Sequence, residues 1–459
     1  MDSIYLDYLE QRKDVLYEMA DYLHDHPEVS FKEELSSSYL ISAFEKEGFV
    51  IERDLAGIKT AFSARFGTGK PVIGILGEYD ALAGLGQDAG VFHKSGDSSR
   101  PGHGCGHHLL GTAAFGAAIG LKNYLCDTGK QGTVIFFGCP AEENGSGKAF
   151  MARDHVFDGI DVALTWHPDS STGVRNNTSL ANVQVIYSFD GTPAHAAAAP
   201  FMGRSALDGV ELMNVGVNYL REHMLPAARV HYAVIDSGGN AANVVQAHAE
   251  VLYLIRAPHA KDVLELKERV TKIAKGAAMM TETEVREIFI KGCSETLLNQ
   301  VLNKAAYEAM KKVDLPELDQ EDLDNIESLL AQGLKGIADE KTPVHLDLEE
   351  LGPVKYEYGS TDVGDVSWIC PTVQIKSADY LYGTPGHSWQ LVAQGKLPLA
   401  HKMCLYTAKA LTQLGIDLIE DPQIIEDAWK QRKEDGDYLC PIPQGVLPDG
   451  LNRHMNKMD

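Results

Sequence analysis

The chain has 459 residues, of which 44% are hydrophobic and 23% charged, as is usual for a globular protein. Its formal net charge of −24, from 41 Lys and Arg against 65 Asp and Glu, opposes binding to nucleic acid and to anionic membrane surfaces. Because one hydrophobic core rarely serves so long a chain, we expect two domains.

The first 20 residues carry charges throughout and do not resemble an export signal, and no run of about 18 apolar residues predicts a membrane span. The seven cysteines are scattered and form no close pair, which argues against a disulfide framework. We therefore expect a soluble, cytoplasmic protein whose partners include neither nucleic acid nor membrane.

In chain order, helical periodicity alternates with short apolar runs in the first third of the sequence. The predicted helices cover 4–26, 34–47, 108–124 and 147–153, and the predicted strands cover 71–77, 133–138 and 161–165. The run 71–77 is apolar throughout, as in a strand buried on both faces. This rhythm predicts a three-layer α/β/α domain around a mostly parallel sheet.

A second unit begins near residue 182. Its predicted elements are strand 182–190, helix 203–224, strands 228–236 and 247–256, helix 261–280 and strand 284–292. This β-α-β-β-α-β order is the ferredoxin-like arrangement. Helical sequence resumes at Thr296, followed by predicted strands at 354–358 and 372–375, so we expect the unit 182–295 to be inserted in a domain made of 1–181 and 296–459.

The stretch Gly102-His-Gly-Cys105-Gly-His107-His108 lies between a loop rich in Gly, Ser and Asp and a predicted helix. Thiolate and imidazole are the usual ligands of zinc and similar metals, and glycine beside Cys105 lets the backbone approach an ion. The same residues could instead cap or pack a helix start, and the motif alone leaves both interpretations open.

Two adjacent carboxylates, Glu142 and Glu143, come soon after the strand 133–138. The carboxyl ends of parallel strands are where α/β proteins place their sites. Because neighbouring side chains point in different directions, one carboxylate could bind metal while the other acts as general base. A solvated turn with favourable negative charge at a helix start is the alternative.

Two single histidines complete the candidate site. His167 follows the strand 161–165, and His387 ends the stretch Gly383-Thr-Pro-Gly-His. A lone histidine is more often structural than ligating. Together with the two motifs above, however, the set supplies one thiolate, three imidazoles and a carboxylate, about what a two-metal hydrolase requires.

These motifs resemble the aminoacylase and carboxypeptidase-G-like metallopeptidase (amidohydrolase) family. The matching stretches, in family order over nearly the whole chain, are His26-Pro-Glu-Val-Ser-Phe31, Gly77-Glu-Tyr-Asp-Ala-Leu82, the Cys-Gly-His motif, Glu142-Glu143, His167, Gly191-Thr-Pro-Ala-His195 and Gly383-Thr-Pro-Gly-His387. The resemblance implies a phosphorylase/hydrolase-like zinc-peptidase catalytic domain, with the ferredoxin-like insertion as a lid and dimerisation domain.

Carried over position by position, the resemblance implies a role for each site residue. The implied metal ligands are Cys105, His107, Glu143, His167 and His387, the implied general base is Glu142, and the implied residue that orients a ligand is Asp80. Whether Glu78 contacts metal stays open, because other branches have a ligating histidine there. In the lid, His195, Asn243 and Arg256 match positions that look like substrate-binding residues, although ordinary lid packing is the alternative.

The activity implied by the resemblance is hydrolysis of the amide bond of an N-acyl amino acid. Two divalent ions, zinc or manganese foremost and cobalt or nickel as alternatives, would activate a water whose proton Glu142 accepts. The most similar branch acts on p-aminobenzoyl-glutamate. A dipeptidase or a general aminoacylase would use the same site.

Three further expectations concern partners and rival mechanisms. A regulatory subunit is an alternative to an enzyme, because the most similar branch works beside a second, homologous subunit. A nucleophilic Cys105 paired with His107 is less favoured, since the two flank Gly106 and no third orienting group is evident. The outer strand of the ferredoxin-like unit predicts a homodimer through the lid.

Overall fold

The computed structural model describes residues 3–337 and 343–455, which form two compact units. Unit 1 comprises Met1–Asn177, Leu297–Lys355 and Val366–Asp437, and unit 2 comprises Thr178–Thr296, Tyr356–Asp365 and Tyr438–Asp459. The predicted insertion 182–295 covers most of unit 2. The segments 356–365 and 438–455 belong to unit 2, although the sequence pattern predicts them in the first domain.

A buried carboxylate explains why these two segments join unit 2. Asp365 accepts hydrogen bonds from the backbone N of Ser294 at 3.1 Å, from Ser294 Oγ at 3.0 Å and from Tyr438 OH at 2.7 Å. The three residues are far apart in the chain and come together only in the folded unit. No local sequence pattern reports such a contact.

The elements are numbered in chain order. Before residue 178 they are α1 (Ser3–Gln11), α2 (Lys13–Asp25), α3 (Glu34–Lys46), β1 (Val50–Arg53), β2 (Phe62–Thr68), β3 (Val72–Gly77), α4 (His107–Thr128), β4 (Gly132–Gly138), α5 (Glu142–Gly145), α6 (Gly147–Arg153), β5 (Val162–Asp169) and β6 (Ser171–Val174). The middle part contains β7 (Ala181–Asp190), α7 (Ala206–Leu220), β8 (Arg229–Asp236), β9 (His248–Ala257), α8 (Ala260–Thr281) and β10 (Glu284–Cys293). The last part contains α9 (Gln300–Met310), α10 (Gln320–Ala331), β11 (His345–Leu348), α11 (Val363–Ile369), β12 (Thr372–Ala378), α12 (Trp389–Gln394), α13 (Pro398–Glu420), α14 (Pro422–Glu434) and α15 (Gly450–Met455).

Unit 1 is built around an eight-stranded sheet with the order β1-β2-β4-β3-β5-β12-β6-β11. The α/β class is confirmed, and the sheet is mixed, with four parallel and three antiparallel pairs of neighbouring strands. The pairs β4-β3, β3-β5, β5-β12 and β6-β11 are parallel, and the pairs β1-β2, β2-β4 and β12-β6 are antiparallel. Every residue of β3 is buried, as its apolar run predicted.

Helix α4 is central to the core of unit 1. By length and composition it could cross a membrane, but 83% of its most apolar window is buried inside the protein, so it is a core helix. Its small residues allow α13 to lie close, since a Cβ on Gly120 would be 2.5 Å from Thr412 Oγ1.

Two predicted elements outside the ferredoxin-like arrangement differ from the structure. The predicted helix 4–26 is divided into α1 and α2 at Arg12, whose backbone leaves helical geometry at φ −104° and ψ 6° while its side chain pairs with Glu47. The residues 354–358 form no strand; Lys355 makes only an isolated bridge, and β11 pairs with β6 instead. A strand needs a free neighbouring edge as well as a β-like composition.

Unit 2 has the predicted ferredoxin-like arrangement. Its four-stranded sheet has the order β10-β7-β9-β8, and all three neighbouring pairs are antiparallel. Apolar residues on one face of the sheet and on α7 and α8 form a separate hydrophobic core. The edge strands are β8 and β10, and Tyr232 and Val234 of β8 are exposed.

Candidate metal centre

The predicted ligands converge in unit 1 on the carboxyl ends of its parallel strands. The structure contains three overlapping groups whose potential donor atoms lie within 4.8 Å of one another: Cys105–His107–His167, Cys105–Glu143–His387 and Glu78–His107–Glu142. Cys105 and His107 each belong to two groups, so the three form one continuous cluster. Glu78 follows β3, Glu142 follows β4 and His167 lies in β5, and β3 is parallel to both other strands.

His107, at the start of α4, is oriented by Asp80. The His107 Nδ1 donates to Asp80 Oδ1 at 2.9 Å, which leaves Nε2 as the ring nitrogen that faces the cluster. Burial lowers the pKa of His107, but the charge of Cys105 and the hydrogen bond to Asp80 outweigh burial and raise it well above its usual value. A cation at Nε2 would replace the proton held there. That nitrogen is buried, has no hydrogen-bond partner among the described residues, and lies 3.3 Å from Glu78 Oε2, which also has none. A buried ring nitrogen and a carboxylate oxygen that face each other without a hydrogen bond fit a proton or a metal cation between them.

His167 is also oriented by a hydrogen bond from its Nδ1, here to a backbone carbonyl. Its Nδ1 donates to the carbonyl oxygen of Pro168 at 2.7 Å, so the Nε2 lone pair faces Cys105 Sγ at 3.4 Å. Burial, followed by the charge of Arg175, holds the pKa of His167 well below its usual value. The ring is therefore neutral, as metal ligation requires.

Cys105 sits in a turn that only glycine can complete. Gly106 has φ +77°, and a Cβ there would lie 2.9 Å from the ring of Pro168. Burial raises the pKa of the Cys105 thiol to about 12 in the absence of a cation. A bound cation reverses this preference, because a coordinated thiol is deprotonated.

His387 reaches the cluster from the last part of the chain. Its backbone N donates to the carbonyl oxygen of Gly104 at 3.0 Å, and its Nε2 lies 3.4 Å from Glu143 Oε2. Burial and then the charge of His107 lower the pKa of His387. A backbone bond thus ties the loop that carries His387 to the loop that carries Cys105.

Glu142 and Glu143 open the short helix α5, directly after Ala141 in left-handed geometry. Burial, with the nearby charge of Glu78, raises the pKa of Glu142. Burial raises the pKa of Glu143 to about 8, and the charge of Glu142 adds to the effect. Burial therefore disfavours the charged form of both carboxylates, and a bound cation would offset this effect.

Asp80 joins the histidine to the glutamate pair. Besides His107, its carboxylate accepts the backbone N of Glu143 at 3.0 Å and Ser30 Oγ at 2.9 Å. Burial raises the pKa of Asp80, but the hydrogen bond and charge of His107 outweigh burial and lower it. These contacts are the ones that the predicted orienting role requires.

The other histidines of the motif, His103 and His108, serve packing rather than the cluster. They pack with His24, and their Nε2 atoms donate to the carbonyl oxygens of Leu23 and Gly395 at 3.0 and 2.8 Å. Burial lowers the pKa of His103 to about 3. Both rings are therefore neutral parts of the core.

Sequence reasoning missed Lys148, which pairs with Glu78. The Lys148 Nζ lies 2.8 Å from Glu78 Oε1, and the two side chains are 0% and 2% exposed. The available signal was a lysine inside the apolar helix Gly147–Arg153, since lysine is almost never fully buried unless it is paired.

The predicted substrate residues lie in unit 2. His195 Nδ1 accepts the backbone N of Ala197 at 3.2 Å, and the carbonyl oxygen of Asn243 accepts the backbone N of Ala196 at 3.0 Å, so the His195 and Asn243 loops are in contact. Arg256 lies in β9 and donates to Ser360 Oγ at 2.8 Å. Their role in binding substrate stays a prediction.

Lys148→Met leaves Glu78 buried without its cation and is expected to lower the free energy of unfolding by about 3–5 kcal/mol. Urea denaturation of the metal-free protein measures this. The control is the double variant Glu78→Gln/Lys148→Met, in which no charge is stranded, so its stability should lie nearer that of the wild type. An unchanged stability of the single variant would contradict the buried pair.

Comparison of the sequence with known proteins gives two findings. Residues 177–280 match the family model described as the peptidase dimerisation domain, and nearly all of them lie in unit 2. The chain is 45% identical over 466 aligned positions to a subunit of the p-aminobenzoyl-glutamate hydrolase of Escherichia coli (strain K12), and the match covers 95% of this chain and 96% of that protein.

Two solved structures share the fold. A Bacillus subtilis protein described as a dinuclear metal binding peptidase from the M20 family has a TM-score of 0.57 at 17% identity and covers 90% of this chain and 99% of that one. An aminobenzoyl-glutamate utilization protein from Klebsiella pneumoniae has a TM-score of 0.60 at 17% identity and covers 87% and 97%.

Proposed function

This chain belongs to the M20 peptidase family, whose members are hydrolases that cleave amide bonds, and we propose that it is a two-metal amidohydrolase for p-aminobenzoyl-glutamate or a related N-acyl amino acid. The family membership confirms the resemblance carried by the motifs. The substrate is proposed from the relative at 45% identity. The observation that carries the two-metal assignment is the overlap of donor groups around Cys105 and His107.

We assign Cys105, His107, Glu143, His167 and His387 to two divalent ions, zinc or manganese foremost and cobalt or nickel as alternatives. The donor set supports this assignment, since one thiolate, three imidazoles and a carboxylate suit borderline divalent metals. When bound, such ions supply a water whose pKa is lowered towards neutrality. Glu78 is not assigned as a ligand, since Lys148 pairs with its Oε1, although its Oε2 faces His107.

Glu142 is proposed as the general base and acid. Its carboxylate lies beside His107, a proposed ligand, and stands outside the two groups that share Cys105. In the reaction, Glu142 accepts a proton from the attacking water as the water oxygen bonds to the amide carbonyl carbon. The C–N bond then breaks, and Glu142 returns the proton to the departing amine.

His195, Asn243 and Arg256 are proposed to bind substrate, with Arg256 suited to a carboxylate through its fork of N–H donors. We also propose a cytoplasmic location, which the absence of any disulfide among the seven described cysteines supports. A homodimer through unit 2 is proposed on the match to the dimerisation domain and on the exposed edge strand β8. A second, homologous subunit is the alternative, since the Escherichia coli relative is itself one subunit of a hydrolase.

Glu142→Gln is expected to lower kcat by about 10²- to 10⁴-fold while the metal content stays that of the wild type, because the amide cannot take a proton from water. Steady-state rates and elemental analysis of the same preparation measure the two quantities. A normal rate in this variant would remove Glu142 from the proposed role.

Hydrolysis of p-aminobenzoyl-glutamate, N-acetyl amino acids and dipeptides, assayed before and after chelation, tests the function itself. We expect chelation to abolish the activity and one kind of divalent ion, added back, to restore it. We expect the highest rate on p-aminobenzoyl-glutamate. Chelator-resistant activity would favour the nucleophilic Cys105 instead. Fastest cleavage of dipeptides or of simple acyl amino acids would reassign the substrate, and no cleavage of any would favour a regulatory subunit.

Sedimentation at micromolar concentration is expected to give twice the monomer mass. Val234→Lys on β8 is expected to produce monomers, because a charge on an edge strand opposes pairing of edges. Val50→Lys on β1, an exposed valine at the edge of the unit 1 sheet, is the matched control and should leave the dimer intact. A monomeric wild type contradicts the homodimer.

A further inference from the structure

The segment 30–33, between α2 and α3, contacts the turn that carries Glu142 and Glu143. Glu33 is 0% exposed and its carboxylate faces three donors. Its Oε1 accepts the backbone N of Phe31 and of Ala141, both at 2.9 Å, and its Oε2 accepts Thr60 Oγ1 at 2.8 Å. The carboxylate thus accepts a hydrogen bond directly from the residue that precedes the glutamate pair.

Ala141 needs this support because of its backbone. It has φ +61°, the left-handed region that residues with a Cβ rarely adopt, and it starts α5. Its carbonyl oxygen accepts the backbone N of Gly145 at 3.0 Å and of Gly147 at 3.3 Å. A rotation of the peptide at Ala141 would therefore swing Glu142 and Glu143 together.

Two neighbours of Glu33 hold the other end of the same turn. Ser30 Oγ accepts the backbone N of Asn144 at 3.2 Å and donates to Asp80 Oδ2, which itself accepts the backbone N of Glu143. The ring of Phe31 packs against Gly145, where a Cβ would lie 2.4 Å from it. The turn is thus held along its whole length by the segment 30–33.

We propose that Glu33 is a positioning residue that holds Ala141 in its left-handed conformation and thereby places Glu143 for metal binding and Glu142 for proton transfer. The proposal rests on the proposed function for the meaning of that placement. Glu33 acts through its acceptor Oε1, which takes the hydrogen bond of the buried backbone N–H of Ala141; without Oε1 this N–H would have no partner in the turn.

Three variants separate the acceptor from bulk and charge. Glu33→Leu replaces the carboxylate with an apolar side chain of similar size and so removes the acceptor. Glu33→Gln keeps the Oε1 acceptor for both backbone N–H groups, while its NH₂ can donate to Thr60 Oγ1, which can turn to accept. Glu33→Leu/Ala141→Gly adds a residue that adopts left-handed geometry without a Cβ penalty.

The first readout is the affinity for Zn²⁺, measured by competition with a chromophoric chelator and needing no substrate. Glu33→Leu is expected to weaken it by about 10- to 100-fold, as loss of an outer support usually does. Glu33→Gln should stay within about threefold of the wild type, and the double variant should recover part of the loss. The proposal is overturned if Glu33→Leu binds Zn²⁺ as tightly as the wild type does. It is also overturned if Glu33→Gln loses as much affinity as Glu33→Leu.

The second readout is the division between kcat and KM on the best substrate. We expect kcat of Glu33→Leu to fall by about 10²-fold with KM little changed, because a displaced proton acceptor affects the reaction more than substrate binding. A loss confined to KM contradicts the proposal. If the wild type binds no divalent ion, the proposed function is refuted instead. If the wild type binds the ion and Glu33→Leu binds it equally well, only the positioning role is refuted.

Two further variants keep the test interpretable. If Glu33→Leu does not fold, Ser30→Ala removes the bond to Asn144 at the other end of the turn and is expected to weaken Zn²⁺ affinity in the same direction; unchanged affinity in Ser30→Ala then overturns the proposal. Asp322→Ala is the control, since it removes a buried carboxylate of the same unit that caps α10. It should lower stability without changing Zn²⁺ affinity, and an equal loss of affinity in it overturns the specific role of Glu33.

Discussion

The carboxylate of Asp80 is the point at which the parts of the candidate site meet. It accepts hydrogen bonds from His107 at the start of α4, from Ser30 before α3 and from the backbone of Glu143 in α5. These elements are separated by about 30 to 110 positions in the chain. Because one buried acceptor serves all three, the orientation of His107 and the direction of the glutamate pair depend on the same group.

Charge is the second constraint. Glu78, Asp80, Glu142 and Glu143 lie close together in a largely buried region, and Lys148 pairs with one of them. Removing several carboxylates from water is costly unless cations accompany them. Burial and mutual repulsion accordingly raise the pKa of Glu142 and Glu143. Divalent ions would relieve this repulsion, which links the stability of the cluster to the proposed chemistry.

Backbone geometry is the third constraint on the site. Ala141, which precedes the glutamate pair, and His387, a proposed ligand, both have positive φ. Each is held by a backbone hydrogen bond from its own N–H, Ala141 to Glu33 and His387 to Gly104. Strained residues of this kind persist only where surrounding contacts determine them. The groups that hold these residues, Glu33 and the backbone of Gly104, must therefore be placed as accurately as the site residues themselves.

By itself, the sequence determined the α/β class, the ferredoxin-like order of unit 2 and the family, because apolar periodicity and motif residues are local properties. It also predicted that Cys105, His107, Glu143, His167 and His387 form one set of ligands, and the structure brings these side chains together. Only the tertiary structure decided that the large sheet is mixed, that 356–365 and 438–455 join unit 2, and that Lys148 and Glu33 support the cluster. These features depend on pairings between residues remote in the chain, and periodicity carries no information about which remote groups meet.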